Sequence, residues 1–200
     1  MVKTVDELLL ELKDYKQPLN KINRLISDGE LIQLKKGLYE TSNKTNPFVL
    51  ARPILSPSYI SFETALSYYG LIPERVYAIT SASLNKRKSK LYRNYYGTYI
   101  YMDIPERAYS FGVMLAQDSD GNYFQIATKE KALCDKLYKL PPRNNIKELE
   151  ELLLNDLRIE YDDICLLNKD DIIFLAERYH TTNVDLLNKY LRRISKWIIY

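Results

Sequence analysis

The chain has one histidine, two cysteines, six glycines and one tryptophan in 200 residues. A lone histidine excludes the His pairs on which many zinc sites are built. Cys134 and Cys165 stand too far apart for a paired metal-ligand motif and read as buried, inert thiols. So few glycines leave no Gly-rich loop to cradle phosphate and no low-complexity linker. No apolar run reaches the roughly 18 residues that cross a bilayer, and the opening Met1-Val2-Lys3-Thr4-Val5-Asp6-Glu7 lacks the apolar core of a signal peptide. The expectation is a cytoplasmic protein that is not an enzyme, with no membrane partner, no metal and no cofactor. His180, near a helix end, reads as a surface or C-capping group.

A hydrophobic content of 46% can bury a sizeable core, as one domain or as a small module joined to a larger one. The net charge of +3 says little, but its distribution says more. Residues 75–93 hold Arg75, Lys86, Arg87, Lys88, Lys90 and Arg93 without an acid, whereas acids outnumber bases over 147–185. The basic segment interleaves with Tyr92, Tyr95, Tyr96, Tyr99 and Tyr101, a mix suited to phosphates and stacked bases. Tyrosines on a strand are also ordinary core residues. DNA, RNA, the acidic C-terminal half and an acidic protein all remain open as partners of this second basic surface.

Thr4-Val5-Asp6-Glu7 fits a capping box, and Val5, Leu8, Leu9, Leu12 and Tyr15 follow at helical spacing. After Gln17-Pro18, a second helix should bury Leu19, Ile22, Leu25 and Ile26 and stop at Gly29 in the left-handed conformation. Its opposite side carries Asn20, Lys21 and Arg24. Residues 31–34 and 38–40 read as strands joined by Lys35-Lys36-Gly37, with Gly37 taking the positive φ of a hairpin. Two helices and a basic-tipped hairpin give the order of a winged helix-turn-helix that lacks one of its usual three helices. The polar stretch 41–47 marks the boundary.

The fold class expected is α+β, with a winged-helix-like module over 1–45 and a larger domain over 46–200. That domain should hold a mixed or antiparallel sheet to about residue 140 and a helical half over 145–200. Strands are expected over 76–82, 95–104, 110–117 and 123–127. Helices are expected over 61–69 behind a Ser61 cap, over 128–138 behind Thr128, over 146–157, over 169–179 behind Asn168, and over 184–198.

Three motifs appear in sequence: the hairpin step Lys36-Gly37-Leu38-Tyr39, then Ser61-Phe62-Glu63-Thr64-Ala65-Leu66 running to Gly70-Leu71, then Ala127-Thr128-Lys129-Glu130-Lys131-Ala132-Leu133-Cys134-Asp135. In this order they resemble the AbiEi family of bacterial antitoxins, from the first residues to about Leu140. The resemblance implies an abortive-infection, phage-defence role within a toxin–antitoxin system. It implies a winged helix that binds inverted repeats in duplex DNA and represses its own operon, and a larger domain that neutralises an AbiEii-like nucleotidyltransferase toxin. Ser61, Glu63, Gly70, Glu130 and Asp135 fall on family motif positions and are expected to hold the fold.

If the second helix enters a major groove, Asn20 and Arg24 can reach base edges, since Asn pairs with adenine and Arg with guanine. Lys21, Lys35 and Lys36 would contact phosphate. Two alternatives stand beside this reading. One is a transcriptional regulator without a toxin. The other is a metal-dependent nuclease built on Asp103, Glu106, Asp118 and Asp120.

Overall fold

The computed structural model describes residues 1–195. Lys196, Trp197 and Ile198 of the expected terminal helix lie outside the described residues. The chain opens with β1 (Val2–Thr4), and Thr4 turns the backbone into α1 (Val5–Glu11). The Thr4 hydroxyl accepts from the Glu7 N–H at 3.3 Å, and the Glu7 carboxylate accepts from the Thr4 N–H at 2.7 Å. This is the capping box read from the sequence. Next come α2 (Pro18–Ser27), β2 (Ile32–Lys35) and β3 (Leu38–Glu40), with the strands in the antiparallel order β1-β3-β2. β1 was not expected, because three residues carry no period and the strand's partner arrives only after both helices. Gly29 (φ 75°) and Gly37 (φ 79°) take the left-handed backbone assigned to them.

Neighbouring residues of β3 point to opposite faces, as a pleated strand requires. Tyr39 joins Leu8, Ile22 and Leu31 in a small core beneath the two helices, whereas Leu38, with Leu34 of β2, joins the main core of the molecule. Tyr15 and Leu19, expected in the buried stripes, are 52% and 59% exposed. α1 stops at Glu11, so Tyr15 is off the helical period, and Leu19 sits in the first turn of α2, beyond this small core.

The remainder begins with α3 (Pro47–Ile54), β4 (Ser58–Ile60) and α4 (Phe62–Tyr68). Then follow β5 (Ala78–Ser83), β6 (Lys90–Asn94), β7 (Gly97–Asp103), α5 (Glu106–Tyr109), β8 (Val113–Gln117) and β9 (Tyr123–Ala127). The six strands lie in the order β6-β7-β5-β4-β9-β8, a mixed sheet in which β5 and β7 run parallel, as do β4 and β9. The strand expected over 95–104 is β7, which begins at Gly97: Asn94 pairs with Gly97, so Tyr95-Tyr96 is a hairpin turn, and the basic run before it forms a further strand, β6, that was not expected. The strand expected over 110–117 begins at Val113, because α5 and Gly112 (φ 68°) occupy the preceding residues.

On one face of the sheet the Tyr99 and Tyr101 hydroxyls donate to the α3 carbonyls of Pro47 and Ala51, at 3.1 and 2.6 Å. The other face receives α6 (Lys129–Lys139), capped by Thr128 as expected. The helical half follows: α7 (Ile146–Glu151), ending in a π turn over Leu152–Asp156, α8 (Tyr161–Cys165), α9 (Lys169–Tyr179) and α10 (Thr182–Ser195). Asn168 caps α9, and His180 closes it, exposed and left-handed at φ 45°. The protein is α+β, with ten α-helices among the described residues. None of these is long and apolar enough to cross a membrane.

Candidate nucleic-acid interface

α2 begins with Pro18 in its first turn and turns about 100° per residue, so Ile22 is seated inward at 2% exposure while Asn20 and Arg24 face solvent. Asn20 donates its amide to Gln17, and the Arg24 Nε lies 3.6 Å from the Asp28 carboxylate. Both partners are local and exposed, and such pairs contribute little and exchange readily for another ligand. The Lys21 ammonium sits 5.8 Å above the Tyr15 ring. At the hairpin, Lys35 pairs with Leu38, which leaves Lys36-Gly37 as a two-residue loop with Lys36 exposed. The Gly37 carbonyl accepts from the Val5 N–H at 3.0 Å and fixes this loop against the start of α1. Lys35 is turned the other way, and its ammonium donates to the Ile54 carbonyl of α3.

Three of the seven acids of this unit are engaged away from α2. Glu11 pairs with Lys3, Glu7 closes the capping box, and buried Glu40 accepts from the N–H groups of Thr41 and Ser42 at 2.8 and 3.1 Å. The hydrogen bonds from Thr4 hold the Glu7 carboxyl below its ordinary range. α2 therefore presents an outward face on which Asp28, at its C-terminal end, is the only acid.

The second basic segment is spread along an edge of the sheet. Lys86 donates to the Ser56 carbonyl at 3.1 Å, and the Arg87 N–H donates to Asp103 at 2.6 Å, which fixes the loop before β6. Lys88, Lys90 and Arg93 are exposed and form no ion pair among the described residues. The rings do not follow the charges outward. Tyr92 packs edge-on against Tyr101, Tyr99 and Tyr101 are fully buried, and the Tyr96 hydroxyl donates to Ser42. Only Tyr95 of the five remains well exposed, at 68%. β6 runs beside β2, where the Asn94 amide donates to the Leu34 carbonyl at 3.1 Å.

No family model matches this chain, and no curated protein does. Its own geometry explains the two inner motifs. Asp135 of α6 is fully buried, and its carboxylate accepts from Ser61 Oγ at 2.5 Å, Tyr59 OH at 3.1 Å, Lys131 Nζ at 3.0 Å and the Tyr179 hydroxyl. The Lys131 ammonium lies 4.6 Å from the Tyr179 ring centre and 5.7 Å from that of Tyr59. Burial lowers the Lys131 pKa against the opposing pull of Asp135, and burial followed by the Asp135 charge raises those of Tyr59 and Tyr179 far above the ordinary phenol range.

The expected side-chain cap of α4 by Ser61 is therefore absent, because its hydroxyl is committed to Asp135. Glu63 binds Lys136, and Glu130 accepts from the Asn168 N–H at 2.9 Å. With no exposure and every oxygen of Asp135 engaged, the cluster ties sheet, α6 and α9 together and offers no surface to a substrate. Local sequence signals missed it because Ser61 and Asp135 lie 74 residues apart.

The acids considered for a nuclease do not converge. Asp103 ends β7 and Asp118 follows β8, four strand positions apart, or about 19 Å at 4.8 Å per strand. Asp118 instead orders its own turn, accepting from the N–H groups of Asp120 and Asn122. Among the described residues, no group of three His, Cys, Asp or Glu side chains is placed to hold a metal ion.

Proposed function

We propose that residues 1–45 are a reduced winged helix that lays α2 in the major groove of duplex DNA. On this reading the chain is an AbiEi-like antitoxin that represses its own operon and counteracts a nucleotidyltransferase toxin. The strand–helix–helix–strand–strand order, with both helices on one side of a three-stranded sheet, supports the winged-helix reading. The observation that carries it is α2 itself, whose inner face is anchored by Ile22 while Asn20 and Arg24 stand clear of the rest of the molecule. A helix of ten residues, about 15 Å long, suits a groove about 12 Å wide. Lys36 on the loop and Lys21 at the flank of α2 serve as phosphate contacts, and Lys35, bound to Ile54, serves to hold the hairpin. The antitoxin role rests on the order of the three motifs.

The test is fluorescence anisotropy on the DNA upstream of the protein's own gene at several salt concentrations. Lys36→Ala should flatten the dependence of log affinity on log salt by about one unit, the signature of one lost phosphate contact. Arg24→Ala should cost about 1–3 kcal/mol on the cognate sequence and much less on unrelated DNA. Affinity unchanged in the double variant would overturn the DNA face. Co-expression with a neighbouring nucleotidyltransferase separates an antitoxin, which restores growth, from a plain regulator, which does not.

A further inference from the structure

The two edges of the large sheet are built differently. β6 carries Lys90 and Arg93 and is flanked by β2, two ordinary devices against edge-to-edge association. β8, Val113-Met114-Leu115-Ala116-Gln117, carries no charge, no proline and no bulge, and pairs with β9 in unbroken register from Val113↔Ala127 to Gln117↔Tyr123. The Thr128 N–H donates to the Gly112 carbonyl at 2.7 Å, and the Asp118 N–H to the Asn122 carbonyl at 2.9 Å. Backbone groups alternate sides along an antiparallel strand, so 112, 114, 116 and 118 face β9 while Val113, Leu115 and Gln117 direct theirs away from the sheet. Leu115 is 59% exposed.

We propose that β8 is a self-association surface, on which a second copy of this chain pairs its own β8 antiparallel about a two-fold axis through Leu115. That register sets 113 against 117 and 115 against itself, so every outward N–H and C=O finds a partner. Charge complementarity selects a second copy over an arbitrary strand. Just before β8, Phe111 stacks on Phe174 at 4.0 Å, and the Arg178 guanidinium lies 3.1 Å above the Phe174 ring centre. Just after β8 comes the turn with Asp118 and Asp120. The two-fold places 111 opposite 119, bringing Arg178 beside the start of each strand toward the Asp118–Asp120 turn at the end of the other. The pairing joins two sheets into one and is independent of whether the protein binds DNA.

Sedimentation equilibrium of the full chain over a wide concentration range tests this. The wild type should dimerise. Leu115→Lys, which sets like charges directly opposite each other, should raise the dissociation constant at least tenfold, and so should Leu115→Glu. An equimolar mixture of the two variants should recover the dimer, which loss of folding could not produce. A wild type that stays monomeric throughout, as expected if the edge serves only a different protein, overturns the proposal. So does a dimer indifferent to Leu115→Lys, or a mixture that fails to re-associate.

Discussion

Replacing Asp135 with asparagine keeps the shape of the side chain and removes its charge, which isolates the role of the buried cluster. In the native protein the carboxylate faces four donors, and the Lys131 ammonium it neutralises is fully buried. Removing one partner of a buried ion pair costs about 3–5 kcal/mol, because the remaining charge stays out of water. The Ser61, Tyr59 and Tyr179 hydroxyls can rotate to accept from the new amide, so their loss adds little. Against a total stability of about 5–15 kcal/mol this is large. For a chain of this size, each kcal/mol corresponds to about 2–4 °C in melting temperature, so Asp135→Asn should melt about 6–20 °C lower. Glu63→Ala, which breaks the partly exposed pair with Lys136, should cost at most about 1 kcal/mol. The double variant Lys131→Met, Asp135→Leu removes both charges but leaves the buried Ser61, Tyr59 and Tyr179 hydroxyls without that acceptor, so it should recover only part of the loss. Thermal and urea unfolding at neutral pH, followed by circular dichroism, measures all three. If Asp135→Asn costs no more than Glu63→Ala, the structural account of the cluster fails; unchanged melting with lost biological activity would make Asp135 a functional group instead.

Two further outcomes follow from burial. Gly112 has φ 68°, and an added Cβ would lie 2.8 Å from the Lys131 Cβ, so Gly112→Ala should destabilise by more than about 1 kcal/mol in the same unfolding assay; a neutral result would refute the close approach. Burial also raises the pKa of Tyr59, Tyr99, Tyr101 and Tyr179, and pushes Tyr96 and Tyr109 up to about 12. Folded values above the unfolded value of about 10 mean that this stability is intact below about pH 10 and is lost as pH rises toward and past 12. Ultraviolet titration of the folded chain should therefore lag behind that of the denatured chain, and coincident curves would refute it.

What the sequence disclosed was what a few adjacent residues determine. The Thr4–Glu7 box, the helix stop at Gly29, the hairpin turn at Gly37, and the caps at Thr128 and Asn168 need only neighbours within one turn, and all are present. β1 and β4 are three residues each and exist only because distant strands pair with them. α3 was hidden by Pro53 near its end and by apolar residues that give it no polar face. β6 read as a charge run because alternation of Lys90, Tyr92 and Asn94 with Leu91 and Arg93 is not an apolar–polar pattern. For the site, helical spacing located Asn20 and Arg24 on the outside of α2, whereas the inward turn of Lys35 depends on a carbonyl 19 residues away.

Leu38 and Tyr39 are covalent neighbours that belong to different cores, and one hairpin is thereby shared between two packing units. A module joined to its neighbour by a loose tether can swivel; one that shares a strand cannot. The direction in which α2 points is consequently set by the body behind it, through Leu34, Leu38 and the Asn94 and Lys35 bonds. Anything that displaces α3 or the β6–β7 hairpin must re-aim the helix as well.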